Sequence, residues 1–261
     1  MTDAHTPAST RTPGPTHDAA GVEAMFDAIA PRYDLLNAVL SAGMDRRWRA
    51  QAVDAALAKR PARLLDVATG TGDLALALGR ALPGAEVRGV DVSEVMLARG
   101  RDKVRRSGRD ITLSRADGTD LPFEDAAFDV VTIGYGLRNF QDLSAGLREF
   151  RRVLRPGGRL VVLEFPPPPR GWFGAVFRAY FTRVLPAIGR LVSGHDDAYS
   201  YLPQSVMAFP APSDLAAGIS AADFDAVTWT PQTLGVSALH VADVDMQDDA
   251  ARTGSLREDA A

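Results

Sequence analysis

The stretch "RLLDVATGTGD", Arg63 to Asp73, decides the fold. A short apolar run is closed by two glycines, and a helical pattern, "DLALALGRAL", follows at once. That reads as a strand, a tight turn and a helix. Gly70 and Gly72 let the backbone turn sharply and approach a ligand with no Cβ in the way. With Ala75 the glycines spell G-x-G-x-x-A, the alanine variant of the dinucleotide-binding fingerprint. A bare strand-to-helix turn with no ligand gives the same string, so the surroundings must decide.

Downstream, the same texture repeats. "EVRGVD" predicts a strand and "SEVMLARGRDKVRRS" a helix with Ser93 as N-cap. "ITLSRAD" and the more apolar "FDVVTIG" predict two further strands. "DLSAGLREFRRVL" is an amphipathic helix stopped by Pro156 and Gly157, and "RLVVLEF" is another buried strand. "FDAVTWT" and "VSALHVA" predict a closing hairpin that sets one antiparallel strand into the sheet. Strands alternating with helices give an α/β fold: a doubly wound, mostly parallel, seven-stranded sheet of Rossmann-like type. Ligands then bind at the carboxyl ends of the strands.

Upstream, "VEAMFDAIAPRYDLLNAVLSAGMDRRWRAQAVDAALA" carries helical spacing broken at Pro31 and Gly43, so helices precede the first strand. Residues 1–21 are rich in Pro, Thr and Ala with no apolar core, which reads as a disordered leader and not a signal peptide. Residues 243–261 read as a polar, acidic tail. A single domain over 22–242 is expected, with a helical insertion over about 170–220 that holds the acceptor.

Composition excludes several chemistries. Net charge is −4, which does not suit a general nucleic-acid binder, and no D/N-P-P-Y/F/W motif is present. With no cysteine there is no thiolate nucleophile or thiolate-bound metal. No metal-ligand constellation appears. The only lysines are Lys59 and Lys103, so there is neither a Gly-Lys-Ser/Thr phosphate loop nor a Tyr-x-x-x-Lys pair. No run of 18 apolar residues exists, so a cytoplasmic protein is expected, with room for peripheral contact at the inner face of a membrane.

Asp91 ends the second strand, 19 residues after Gly72, where a carboxylate can accept both ribose hydroxyls of an adenosine ligand. A helix N-terminal acid before Ser93 is the plainer reading. NAD(P) and S-adenosylmethionine both fit up to this point. The missing Tyr-x-x-x-Lys pair favours the methyl donor, as does the short chain left after Phe165. So does Asp117, placed where an adenine amino group can be met, with Leu121 and Phe123 near the base. Asp117 is also a plausible loop cap.

Taken together, "RYDLLNAVLS", "DVATGTGD", "ADGTDLPF", "GLRNF", "RVLRPGGRLVVLEF", "YSYLPQSV" and "ALH" resemble the ubiquinone/menaquinone biosynthesis C-methyltransferases, in order from about Met25 to His240. The resemblance implies transfer of methyl from S-adenosylmethionine to a ring carbon of a polyprenyl quinol, demethylmenaquinol first and the matching benzoquinol of the ubiquinone pathway as the alternative. A class I methyltransferase for another metabolite is a further reading. The resemblance makes Thr71, Asp91, Asp117 and Gly118 cofactor contacts, beside Gly70 and Gly72 of the glycine loop, and Arg138 and Asn139 the catalytic pair. Arginine stays protonated, so Arg138 is expected to stabilise a quinolate and orient a water that takes the proton, with Asn139 holding that water or the substrate oxygen. A surface or cap arginine is the plainer reading of Arg138. His240 and His195 are alternative bases. Tyr199 and Tyr201 are expected to line the quinone pocket, or simply to pack.

The stretch from Trp172 to Ile188 places aromatics at helical spacing, flanked by Arg170, Arg178, Arg183 and Arg190. A core helix with a solvated basic face is the favoured reading, and an interfacial helix at the entrance for a polyprenyl tail the other. Oligomeric state is not legible.

Overall fold

The computed structural model describes residues 19–30, 41, 43–184 and 197–246. The side chains of residues 19, 20, 28, 29, 173, 184 and 197–200 are outside that description. Helix α1 (Ala19–Ile29) and helix α2 (Met44–Leu57) precede the sheet. Strand β1 (Arg63–Val67) leads to α3 (Asp73–Ala81), β2 (Glu86–Asp91) to α4 (Glu94–Ser107), and β3 (Ile111–Arg115) to β4 (Phe128–Gly134). Then come α5 (Leu143–Val153), β5 (Leu154–Glu164), α6 (Trp172–Ala179), α7 (Asp197–Ala208), α8 (Pro212–Ser220), β6 (Asp225–Gln232) and β7 (Ser237–Asp243).

The seven strands form one sheet in the order β3-β2-β1-β4-β5-β7-β6. All neighbouring pairs from β3 to β5 are parallel, and β7 runs antiparallel to both β5 and β6. Alternation along the apolar strands explains the three layers. Leu64, Val130 and Val161 face α2, α3 and α4, whereas Leu65, Val131 and Val162 face α5 and α8. Each fully buried leucine of this kind stabilises the fold by about 1.5–3 kcal/mol. The chain order reverses between β1 and β4, so the crevice at their carboxyl ends is where this topology holds a ligand.

The cap expected at Ser93 is present, and Asp142 supplies a second that the sequence reading did not name. The Ser93 hydroxyl accepts from the Met96 N–H at 3.1 Å, and Asp142 caps α5 by accepting from Ala145 N–H at 2.9 Å. Three boundaries differ. Helix α1 begins at Ala19, inside the stretch read as leader, because Val22 is buried and Glu23 pairs with Arg115 at 2.9 Å. The "RPGG" turn belongs to β5. The register with β4 shifts there, from Phe128 opposite Leu154 to Val130 opposite Arg159, and Gly157 takes a positive φ of 74°. Val244 then clamps this bulge, accepting from Gly157 N–H and donating to Gly158 O, so order runs past the boundary set at 242. The "PRYDLLNAVL" motif, His195 and the segment around Pro186 lie outside the described residues.

Candidate active site

A cavity of about 310 Å³ opens at the crevice between β1 and β4. Its floor is the β1–α3 turn and its sides are the ends of β2, β3 and β4. Val22 and Phe26, one turn apart on α1, close one side. The sequence put a helix there but gave it no role.

Asp91 sits at the end of β2. Its Oδ2 accepts from Gly70 N–H at 2.8 Å and its Oδ1 from Ser93 N–H at 2.9 Å. The Val92 N–H bonds to the carboxylate as well, so only part of its capacity of about four acceptor sites remains for ligand hydroxyls. Burial pushes the Asp91 carboxyl up, against the backbone N–H bonds that pull it down, and Asp27 adds to the rise. Asp27 itself accepts from the Ser93 hydroxyl at 2.5 Å, which ties α1 to this edge.

Asp117 caps its loop and faces the cavity. Its Oδ1 accepts from Thr119 N–H and Thr119 Oγ1–H, each at 2.8 Å, and the residue lines the cavity. Gly118 beside it is a close-approach glycine: a Cβ there would lie 2.4 Å from Phe140 Cζ. Gly70 lines the cavity with its N–H turned to Asp91. Gly72 instead starts α3 with φ 80°, a conformation that L side chains rarely adopt, and does not line the cavity. Thr71 also points elsewhere. Lys103 donates to its hydroxyl at 2.9 Å and to Asp73 at 2.7 Å, and Arg49 pairs with Asp73 at 3.0 Å. Thr71 lines a smaller space of about 40 Å³ that reaches Gly70, Gly134 and Tyr135.

That smaller space also holds Asp66, which sequence reasoning passed over. Burial raises its carboxyl to about 6, partly offset by the Thr69 and Thr132 hydroxyls, each donating at 2.7 Å, and by the Ala75 N–H, with Asp91 adding to the rise.

The "GYGLRNF" loop forms the opposite wall. Gly134 and Gly136 line the cavity, and a Cβ on Gly136 would lie 2.3 Å from the Ala68 Cβ across the crevice. Tyr135 takes φ 61° and stacks on Phe165 with ring centres 4.4 Å apart. A single 3₁₀ turn, Leu137–Asn139, then carries both residues of the expected catalytic pair. Asn139 lines the cavity, and its Oδ1 accepts from the Tyr201 hydroxyl at 3.1 Å. With Oδ1 engaged, the donors of the Asn139 amide are what the side chain offers a ligand. Burial holds the Tyr201 phenol above its usual range, so it stays a donor; Arg138 pulls it down and Glu164 pushes it up.

Arg138 turns away. Its Nη1 pairs with Glu164 Oε1 at 2.8 Å and donates to the Tyr135 carbonyl, and it does not line the cavity. Glu164 also accepts from Phe165 N–H at 2.8 Å and from Arg138 N–H at 3.3 Å. The expected contact of Arg138 with the acceptor ring is therefore replaced by a buried ion pair that ties the 3₁₀ turn to the end of β5. The sequence displayed Glu164 in "VVLEF", but no spacing rule marked it as a partner. His240 is buried on β7 with Nε2 against the Pro212 carbonyl at 2.9 Å, and it too is outside the cavity lining. The Tyr199 side chain lies outside the described residues.

A family model described as the ubiE/COQ5 methyltransferase family matches residues 15–243. The chain belongs to that family. It is an S-adenosylmethionine-dependent methyltransferase. A demethylmenaquinone methyltransferase from Thermus thermophilus is 58% identical over 219 residues, covering 84% of this chain and 99% of that protein. One from Deinococcus radiodurans is 52% identical, covering 85% and 92%. A ubiquinone/menaquinone biosynthesis C-methyltransferase from Geobacter sulfurreducens is 46% identical, covering 87% and 90%. Among solved structures, the [4+2]-cyclase SpnF superposes with a TM-score of 0.65 at 21% identity, over 89% of this chain and 97% of that one. A SAM-dependent methyltransferase from Thermotoga maritima gives 0.58 at 16% identity, over 84% and 98%. These structures show the fold alone, and a cyclase among them illustrates that the fold does not name a reaction.

The methyltransferase site fits its cofactor. Asp91 and Asp117 stand at the ends of adjacent strands with acceptor capacity left, and Val92, Met96 and Phe140 give apolar walls between and beside them. Gly136 lets its loop pack against Ala68, and both residues line the cavity. The volume falls at the lower end of the small-molecule range of about 300–1000 Å³.

Proposed function

We propose that the protein methylates a ring carbon of a polyprenyl quinol, converting demethylmenaquinol to menaquinol. The close similarity to proteins named for that reaction supports it, at 58% and 52% identity over nearly their whole lengths. The relative named for both quinone pathways keeps the benzoquinol alternative as the second reading. On this reading the protein works from the cytoplasm at the inner face of the membrane, where such a quinol resides. No helix among the described residues is long and apolar enough to cross a membrane.

S-adenosylmethionine supplies an electrophilic methyl on a sulfonium. The chain's own residues then have three tasks. Asp91 takes the ribose hydroxyls, Asp117 the adenine amino group, and Gly70 and Gly118 keep the backbone close to the ligand. Thr71 and Gly72 act from beneath, by shaping the turn.

At the acceptor end, a neutral ring carbon is a weak nucleophile until its neighbouring hydroxyl loses a proton. Asn139, its Oδ1 fixed by Tyr201, donates an N–H to the oxygen on which charge develops. A water held beside Asn139 takes the proton. With the methyl delivered, a carbon–carbon bond would replace the carbon–sulfur bond, the hydrogen at the methylated carbon would leave as a proton to solvent, and the ring oxygen would take a proton back to give the quinol. Arg138 positions this donor: its pairing with Glu164 holds the turn that presents Asn139.

The test is steady-state kinetics with purified protein and a short-tail demethylmenaquinol. Asn139→Ala is expected to lower kcat by about 10²–10³, the usual scale for one lost oxyanion donor, with S-adenosylhomocysteine affinity kept. A kcat within about threefold of the parent would remove Asn139 from the chemistry. Faster turnover of the matching benzoquinol would move the assignment to the second reading.

A further inference from the structure

Between Glu164 and Asp196 the chain has no acidic residue, although its net charge is −4, and it carries Arg170, Arg178, Arg183 and Arg190 there. Helix α6 and the π turn Tyr180–Val184 after it occupy the described part of this stretch. Their inner side is accounted for. Phe181 is buried and Phe177 half-buried, stacked at 5.4 Å, against Phe165, Leu202, Val206 and Met25. Their outer side is not. Trp172 is 80% exposed and Val176 60% exposed, one turn apart and so on one face. Beside them Arg170, Arg178, Thr182 and Arg183 line an open concavity of about 520 Å³.

We propose that this outer face is a docking surface for an anionic membrane. Trp172 and Val176 enter the lipid interface, and Arg170, Arg178 and Arg183 engage lipid phosphates. Charge complementarity selects the occupant: the face is purely basic, while the rest of the chain is acidic and is repelled from an anionic surface, which orients the molecule. The inner face selects a membrane over a protein partner. Through Phe165 it reaches Tyr135, which lines the cavity, so one short helix joins lipid on its outside to the acceptor site on its inside. This last step rests on the proposed polyprenyl substrate; the docking itself does not.

The experiment is co-sedimentation of the full chain with vesicles of phosphatidylcholine alone and of phosphatidylcholine with phosphatidylglycerol. Binding is expected only with phosphatidylglycerol, falling as salt rises. Each arginine near an anionic surface contributes about fivefold, so the triple variant Arg170→Glu, Arg178→Glu, Arg183→Glu is expected to bind about a hundredfold or more weaker. Trp172→Ala should weaken binding without restoring it at low salt. Both variants should keep the parent's melting temperature and its turnover of a short-tail quinol in detergent-free buffer. Equal binding to both vesicle types, no binding to either, or unchanged binding by the triple variant would overturn the proposal. So would displacement by millimolar glycerol phosphate, which would mark a site for a free anion. Docking without methylation of a long-tail demethylmenaquinol would count against the proposed function and leave the docking surface standing.

Discussion

The buried pair Arg138–Glu164 gives the sharpest energetic prediction. The two side chains are 6% and 1% exposed, and Glu164 is held by Arg138 Nη1 at 2.8 Å. Arg138→Met removes that cation and leaves a carboxylate in the interior. Breaking one side of such a pair costs about 3–5 kcal/mol. The Phe165 and Arg138 N–H groups still solvate the carboxylate, which places the expected cost near 3 kcal/mol. That is a large share of a domain stability of about 5–15 kcal/mol. The double variant Arg138→Met, Glu164→Gln removes both charges and keeps an acceptor for Phe165 N–H. It is expected to recover to within about 1–2 kcal/mol of the parent, because both desolvation penalties disappear. Urea unfolding of the parent, both single variants and the double variant gives the cycle directly. Single-variant costs that simply add, with coupling below about 0.5 kcal/mol, would refute the pairing. The double variant should still turn over slowly even though it folds, since its 3₁₀ turn has lost the tie that presents Asn139.

Three further outcomes follow from the site. Asp91→Ala removes the bonds from Gly70, Val92 and Ser93 N–H and the acceptor for the ribose; calorimetry should show S-adenosylhomocysteine binding about 10- to 100-fold weaker, equivalent to roughly 1.5–3 kcal/mol, and unchanged affinity would clear Asp91 of the role. Asp66 has its carboxyl at about 6 in the fold against an ordinary 3.8, so the folded chain holds more protons between those values. Its contribution is therefore fully favourable below 3.8 and is lost as pH rises through 6, a change of about 3 kcal/mol. Subtracting the pH profile of urea stability for Asp66→Asn from that of the parent should leave this downward slope, and a flat difference would contradict it. Gly136→Ala would drive a methyl against Ala68 and should destabilise by about 1–3 kcal/mol while weakening the cofactor complex, measured by thermal shift with and without S-adenosylhomocysteine.

The sheet was legible because its signals are local. "RLLDVA", "FDVVTIG" and "RLVVLEF" are short apolar runs closed by turn residues, and their alternation assigns each side chain to a layer. The positions of Asp91, Asp117 and Asn139 followed from strand ends, which topology places together. The orientation of Arg138 did not, because the direction of a long side chain depends on Glu164, 26 residues away and on another strand. Thr71 was misdirected for the same reason: its partner Lys103 stands 32 residues on, at the far side of the next strand and helix. The first turn of α1 was hidden by composition, since Ala19, Ala20 and Gly21 beside a Pro/Thr-rich stretch resemble more leader. The role of Val22 and Phe26, on the helix the sequence did predict, shows only in their packing over the crevice. The "RPGG" punctuation was read as a stop, when it ends the helix and bends the strand at once.

The central claim is the reaction itself, and it is tested most directly by quinone profiling in cells that lack this gene. Mass spectrometry of the lipid extract should show demethylmenaquinone in place of menaquinone, restored by the parent gene and not by Asn139→Ala. An unchanged menaquinone pool in the deletion would contradict the account.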